Sequence, residues 1–147
     1  MKNIQTARFG ALDIEDEKIL HFADGLPAFE EEHDFVLLPL EEDSPYSFLQ
    51  SATTPDLAFL VTVPFVFFPD YEFELDDEVT KRLALTAPEE MQIYTLLTIP
   101  SGHIEEMTAN LMAPVVINQK TREAKQVVLD KSHYTTKHRL FPPKEDA

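Results

Sequence analysis

Short apolar runs, separated by prolines and acidic turns, follow one another along this chain. The longest run extends from Leu57 to Phe68 and is interrupted only by one threonine and one proline. An unbroken apolar run predicts a buried strand, and the alternation of apolar and acidic side chains over residues 71–75 predicts a strand with one face in water. Because proline cannot donate to a strand ladder, Pro64 and Pro69 mark strand ends, bulges or an edge.

Most of the remaining chain also reads as short strands. A helix of about two turns is predicted after Asp76, whose carboxylate can accept the free amides of the first turn, with Val79, Leu83 and Arg82 as the candidates to face inward. Between the turns, strand patterns cover residues 4–9, 12–14, 35–40, 46–51, 91–99, 104–111, 113–118 and 124–129.

Many short strands at close spacing are typical of an antiparallel sandwich or barrel rather than an α/β fold. A closed or nearly closed barrel would also hide strand edges that invite aggregation. We therefore expect an all-β, mainly antiparallel single domain with one short helix over residues 1–140, followed by a disordered tail over residues 141–147.

The formal charge of −15 is concentrated in the first part of the chain. Residues 1–90 hold 21 of the 27 acidic residues and 5 of the 12 lysines and arginines, a balance of −16, whereas residues 91–147 have a balance of +1. Such a field repels nucleic acid and anionic lipid and attracts basic partners, although an acidic surface can equally serve solubility alone. We expect no direct nucleic-acid partner and no membrane partner.

Several kinds of chemistry lack the residues they need. The absence of cysteine excludes disulfides and thiolate catalysis and is compatible with a reducing cytoplasm. Three glycines provide no phosphate-binding loop, no serine-nucleophile motif is present, and the five histidines lack metal-site spacing. No signal peptide or membrane-spanning run is recognisable. We expect a soluble cytoplasmic protein without catalytic residues, cofactor or metal.

The aromatic residues after Pro64 are candidates for a docking surface. Residues 65–68 carry three phenyl rings, and an acidic stretch begins at Asp70 and continues to Glu78. Apolar anchors beside a charged rim suit a protein-binding surface. The alternative is that all of these rings belong to the core, since large apolar residues are usually buried.

Two blocks of the sequence are specific, namely residues 67–71 (Phe-Phe-Pro-Asp-Tyr), within a matching stretch over residues 64–74, and residues 107–118 (Met-Thr-Ala-Asn-Leu-Met-Ala-Pro-Val-Val-Ile-Asn). Residues 6–10, 25–30 with 35–38, and 55–59 support them. On these five blocks, the chain resembles the FliW family of bacterial flagellar assembly factors along almost its whole length. One departure is Ala28, where the family usually has glycine in a turn.

The resemblance implies a small antiparallel β-barrel that acts by binding proteins. Family members bind the translational regulator CsrA, which prevents it from repressing flagellin mRNA, and they bind newly made flagellin in competition with CsrA. The alternative function is that of a dedicated flagellin chaperone with no role in translation control. We expect a monomer whose partners are CsrA and flagellin.

On this basis we assign hypothetical binding roles to nine residues. Phe65, Phe67, Phe68 and Tyr71 would be apolar anchors, Asp70, Glu72 and Glu74 would be steering and repelling charges, and Asn110 and Asn118 would supply hydrogen bonds. For the two asparagines, a structural role at a turn or strand end is the alternative.

Overall fold

The structure, a computed structural model, describes residues 2–26, 29–41, 43–100, 103–129 and 133–141. Eleven strands and one α-helix are present in these ranges. The elements are β1 (Lys2–Thr6), β2 (Gly10–Ile14), β3 (Ile19–Phe22), β4 (Asp34–Pro39), β5 (Tyr46–Ser51), β6 (Ala58–Thr62), α1 (Asp77–Arg82), β7 (Met91–Thr98), β8 (Thr108–Ala109), β9 (Val115–Asn118), β10 (Glu123–Gln126) and β11 (His138–Arg139).

Seven strands close into a barrel. The hydrogen-bonded order is β7, β6, β5, β4, β3, β10 and β9, and β9 pairs again with β7. All of these pairings are antiparallel except β3 with β10. The prediction of a mainly antiparallel all-β domain with one short helix is confirmed, and the parallel pair makes the barrel a mixed one.

The barrel interior is an apolar core to which every second residue of the strands contributes its side chain. In the middle of the sheet, Leu49 lies opposite both Leu37 and Phe59. The buried members are Leu20, Phe22, Leu26, Phe35, Leu49, Val61, Val115, Ile117 and Ala124. Since burying one large aliphatic or aromatic side chain stabilises a fold by about 1.5–3 kcal/mol, this interior is the main source of stability.

Two further apolar clusters cover the outer face of the barrel. The first, which we call the ring cluster, packs Tyr71 against Met107, Ala109, Leu111 and Leu140, with half-buried rings around it. The second packs Leu83, Ile93, Val116, Val127 and Leu129 beneath α1. Residues 64–85 therefore lie over the outside of the sheet, and this layer carries the candidate site.

The helix begins without the predicted side-chain cap. Asp76 has an extended backbone at the helix start, but its carboxylate makes no capping hydrogen bond, so that prediction is wrong. Leu83 is buried and Val79 half-buried, as predicted. The prediction for Arg82 is wrong, because its side chain is exposed and forms an ion pair with Asp24. With six residues, α1 is short, and no helix in the described ranges is long and apolar enough to cross a membrane.

The predicted strand over residues 71–75 forms no ladder. Its side chains still alternate, because Tyr71 is buried, Phe73 and Leu75 are half-buried, and Glu72 and Glu74 are exposed. The segment packs onto the outer face of the sheet through Tyr71 and Phe73 rather than lying beside a neighbouring strand. The prediction for residues 104–111 is likewise too long, because Ile104–Glu106 form a 3-10 turn and, within this range, β8 (Thr108–Ala109) is the part that pairs with β7.

A buried carboxylate holds the start of β7. Glu90 accepts hydrogen bonds from the Thr86 amide, at 3.1 Å, and from the Thr86 hydroxyl, and its second oxygen lies 3.2 Å from Nζ of Lys120. The Thr86 hydroxyl, together with the Lys120 ammonium, holds the pKa of Glu90 below its ordinary value. These contacts tie β7 to the turn between β9 and β10.

The turn after β3 requires glycine at position 25. Gly25 has a φ of +64°, and a Cβ there would lie 2.6 Å from the carbonyl oxygen of Phe29 and from Cα of Glu30. An added methyl group would therefore collide with the backbone as well as strain it. Ala28, the departure from the family pattern, lies outside the described residues.

Candidate protein-docking surface

Tight turns after β6 determine which way the aromatic side chains point. Pro64 opens a 3-10 turn, and its carbonyl accepts hydrogen bonds from the amides of Phe67, at 3.1 Å, and Phe68, at 2.8 Å. The Phe68 carbonyl then accepts the amide of Tyr71 at 3.0 Å. Successive side chains in such turns point in different directions, so the apolar run cannot be buried as a whole.

Tyr71 is a core residue. Only 4% of it is exposed, and its hydroxyl donates a 2.7 Å hydrogen bond to the carbonyl of Leu111. Its ring centre lies 4.7 Å from that of Tyr134 and 5.3 Å from that of Phe73. Burial raises the pKa of the Tyr71 hydroxyl, which therefore remains a proton donor at neutral pH. Its assignment as an apolar anchor is corrected, because a buried ring is not available to a partner.

Phe67 and Phe68 also pack mainly within the ring cluster. Phe67 stacks on Tyr46 with ring centres 5.8 Å apart and meets Phe141 edge-on at 6.0 Å. Phe68 lies against His138 at 6.1 Å. Both side chains are half-buried, so each ring exposes only part of its area to a partner. Phe141 belongs to the predicted tail, and residues 142–147 lie outside the described part of the chain.

Two neighbouring side chains do form an exposed apolar patch. Phe65 is 43% exposed and Val66 is 58% exposed. The sequence analysis selected Phe65 and missed Val66. The signal that could have identified Val66 was its position in the turn after Pro64, directly next to Phe65. We call these two residues the apolar patch.

Beside the patch, residues 70–76 form what we call the acidic segment. Asp70, Glu72, Glu74 and Asp76 are all exposed, and none of them forms an ion pair with another described residue. The Tyr134 hydroxyl fixes the backbone of the segment, because it accepts from the amide of Glu72 at 3.1 Å and donates to its carbonyl at 3.0 Å. The predicted charged residues are therefore brought together on the surface.

The acidic segment forms one wall of a groove of about 490 Å³, which we call the acidic groove. Phe73 contributes apolar surface beside the four carboxylates. The groove is also lined by Val127, Val128, Leu129, His133 and Tyr134. A concave surface of this kind, with four carboxylates beside apolar side chains, suits a ligand that is both basic and apolar.

The two asparagines have the contacts of structural residues. Asn118 is 1% exposed, donates to the carbonyls of Leu83 at 2.7 Å and Ala84 at 3.3 Å, and accepts the amides of Lys120 at 2.8 Å and Thr121 at 3.2 Å. Both the nitrogen and the oxygen of its side chain are therefore occupied by hydrogen bonds inside the molecule.

Asn110 is half-buried, and its side-chain oxygen accepts the Ala113 amide at 3.0 Å. The surface described here therefore includes neither Asn110 nor Asn118.

Nothing in this arrangement corresponds to a metal centre. Among the residues that the structure describes, no group of three or more histidine and carboxylate side chains is arranged to hold a metal ion. What the surface offers is exposed apolar area next to carboxylates that form no ion pair with a described residue, a combination that suits protein binding.

Comparison with known proteins gives one consistent answer. The model of the family described as FliW protein matches residues 3–140. The flagellar assembly factor FliW of Heliobacterium modesticaldum is 49% identical over 139 residues, which cover 95% of this chain and 90% of that protein. FliW of Bacillus subtilis is 47% identical over 135 residues, covering 92% and 94% of the two chains.

A solved structure agrees with this result. A crystal structure of the flagellar assembly factor FliW superposes with a TM-score of 0.91 at 42% identity, covering 98% of this chain and all of the other. Its agreement extends over the barrel and the outer layer that carries the acidic segment, since nearly the whole chain is covered. From the matching family model, the relatives and the shared fold together, the chain belongs to the FliW family of non-enzymatic flagellar assembly factors.

Proposed function

We propose that this protein couples flagellin supply to flagellin synthesis by binding two proteins in alternation. In one state it binds the translational regulator CsrA and prevents it from repressing flagellin mRNA. In the other it binds free flagellin and releases CsrA, so that synthesis stops until flagellin is exported. Membership of the FliW family supports the assembly role, and the exchange of partners is the proposal.

The observation that carries the proposal is the joining of an apolar patch to an unneutralised acidic segment. Phe65 lies 5.9 Å, ring centre to ring centre, from Tyr71, which is flanked in the chain by Asp70 and Glu72. Apolar anchors supply affinity, while charges outside the anchor speed association and select the partner. An RNA-binding regulator presents basic surface and is therefore attracted by the segment.

The same charges provide a mechanism of inhibition. A bound protein that carries −16 in its first 90 residues brings negative potential next to the surface that phosphates must approach. RNA is then repelled even if its own site remains open. Because this repulsion acts through solvent, it should weaken at ionic strengths where the Debye length falls below about 8 Å.

Kinetics of association test the role of the acidic segment. Replacing Glu72 and Glu74 by lysine should slow association with CsrA by about tenfold at low salt, since steering raises on-rates by that much or more. The matched control replaces Glu15 and Glu17, which are exposed in the turn before β3 and undergo the same change of charge. Equal slowing by both double variants, or by neither, would remove the acidic segment from the proposed mechanism.

A pull-down separates partner exchange from simple flagellin protection. The tagged protein is incubated with RNase-treated extract from cells that lack flagellin, and recovery of CsrA is expected. Purified flagellin added to the captured complex should then release CsrA in proportion to its concentration. If no CsrA is recovered and only flagellin binds, the dedicated chaperone is the correct interpretation.

A further inference from the structure

The acidic groove is bordered by backbone that is open to pairing. Residues 71–76 belong to no helix or strand, and their side chains alternate between buried and exposed as in an extended chain. In the described part of the molecule, the amides and carbonyls of Phe73, Glu74 and Leu75 make no hydrogen bond, and neither do those of Val128 across the groove. Unpaired extended backbone is the feature to which an added strand binds.

The charges of the groove repeat with the period of a strand. Carboxylates occupy positions 72, 74 and 76, and all three line the groove together with Asp70, which lies in the turn before them. Alternate residues of an extended chain are about 6.6 Å apart on the same side. A partner segment in the same conformation, with lysine or arginine at every second position, would match this spacing over residues 72–76.

The apolar lining indicates that the ligand is a protein segment. Val128 is 55% exposed at the groove, and Phe73, Val127 and Leu129 also line it. A small cation would leave this apolar surface in water, whereas nucleic acid and anionic lipid are repelled by the carboxylates. A peptide that alternates basic and apolar side chains satisfies both kinds of surface at once.

We propose that the acidic groove binds an extended basic segment of a protein partner, which adds as a strand to residues 73–75. Basic side chains of the segment lie opposite Glu72, Glu74 and Asp76, and its apolar side chains rest on Phe73 and Val128. The inference rests on the proposed function, because it identifies the partner chemistry that the acidic segment recognises. It places that recognition in the groove and not on the apolar patch.

A synthetic peptide tests the groove without any natural partner. The probe is the fluorescein-labelled, end-capped heptapeptide Lys-Val-Lys-Val-Lys-Val-Lys, titrated with the protein at low salt and followed by anisotropy. Replacing Glu72 and Glu74 by glutamine should weaken binding about tenfold, because each neutralised carboxylate removes one ion pair. The same change at Glu15 and Glu17 should leave the affinity within a factor of two. Equal affinities for both double variants would overturn the proposal.

Two methylated peptides test strand addition itself. In an added strand, only alternate amides point toward the strand it joins, and methylation removes the donor. Methylating the amides of the lysines or those of the valines should therefore give one peptide that binds like the parent and one that does not bind. If both bind like the parent, the contact is only electrostatic and strand addition is refuted. If neither binds, it is refuted as well.

The outcomes also separate this inference from the proposed function. Peptide binding that depends on Glu72 and Glu74, together with a pull-down that recovers no CsrA, would retain the groove and reject the exchange of partners. Recovery of CsrA by a protein to which the peptide does not bind would retain the exchange and reject the groove. Competition between the peptide and CsrA would support both.

Discussion

Replacing Asn118 by alanine should destabilise the fold rather than weaken partner binding. The amide group of Asn118 holds the carbonyls at the end of α1, while its oxygen holds two amides in the turn after β9. One side chain therefore joins the helix to the barrel. Alanine removes all of these contacts without introducing a clash.

The expected loss follows from the geometry of four hydrogen bonds. Two are short, at 2.7 and 2.8 Å, and two are longer, at 3.2 and 3.3 Å. With about 1 kcal/mol for each short bond and about 0.5 kcal/mol for each long one, the free energy of unfolding should fall by about 3 kcal/mol. Asn110→Ala, the control, removes one 3.0 Å bond from a half-buried side chain and should cost about 1 kcal/mol.

Equilibrium unfolding in urea, followed by circular dichroism, measures both losses. For a domain of this size, about 3 kcal/mol corresponds to a fall in Tm of about 6–12 °C. A second variant, Asn118→Asp, keeps the acceptor but places a carboxylate against two carbonyls. The folded state then raises the pKa of residue 118, so this variant should lose stability as pH rises through the range where the group ionises. A loss below 1 kcal/mol for alanine, combined with weaker binding of CsrA, would refute the structural role.

Three other substitutions test features of the outer layer and the turns. Tyr71→Phe should lower the free energy of unfolding by about 1–2 kcal/mol in urea titrations, because it leaves a buried carbonyl without its donor; no loss would mean that water replaces the hydroxyl. Gly25→Ala should cost more than Gly10→Ala in the same assay, since both positions have positive φ but only Gly25 has backbone within 2.6 Å of the added methyl group. Equal costs would contradict the predicted collision. Glu90→Gln should make stability depend less on pH on the acid side. The folded protein lowers the pKa of the Glu90 carboxyl, so the ionised group stabilises the fold at pH values above its ordinary pKa of 4.5, and this contribution is lost as pH falls through the pKa of the folded state. Melting temperatures between pH about 5 and 3 measure this slope, and an unchanged slope would exclude the carboxylate as a source of it.

Local patterning identified the buried side chains better than it identified the pairing of the backbone. The strand over residues 46–51 is predicted to the residue, because its borders are a proline turn and a polar turn. Over residues 71–75 the alternation correctly separates buried from exposed side chains, yet the segment forms no ladder. Periodicity depends only on which side faces the core, whereas pairing depends on a neighbour elsewhere in the chain.

Prediction of the candidate site from the sequence was limited in the same way, because part of the site depends on residues far away in the chain. The acids are exposed where the sequence placed them, since unpaired carboxylates remain in water. The burial of Phe67, Phe68 and Tyr71 depends on rings contributed by residues 134–141, which are more than 60 positions away. No pattern within residues 65–71 could show that this cover exists.

The hydroxyl of Tyr134 makes the acidic segment depend on a distant part of the sequence. It bonds to both the amide and the carbonyl of Glu72, which lies 62 positions earlier in the chain. A substitution that loosens the packing around Tyr134 would therefore release the backbone that positions the carboxylates, although it lies far from them in the sequence.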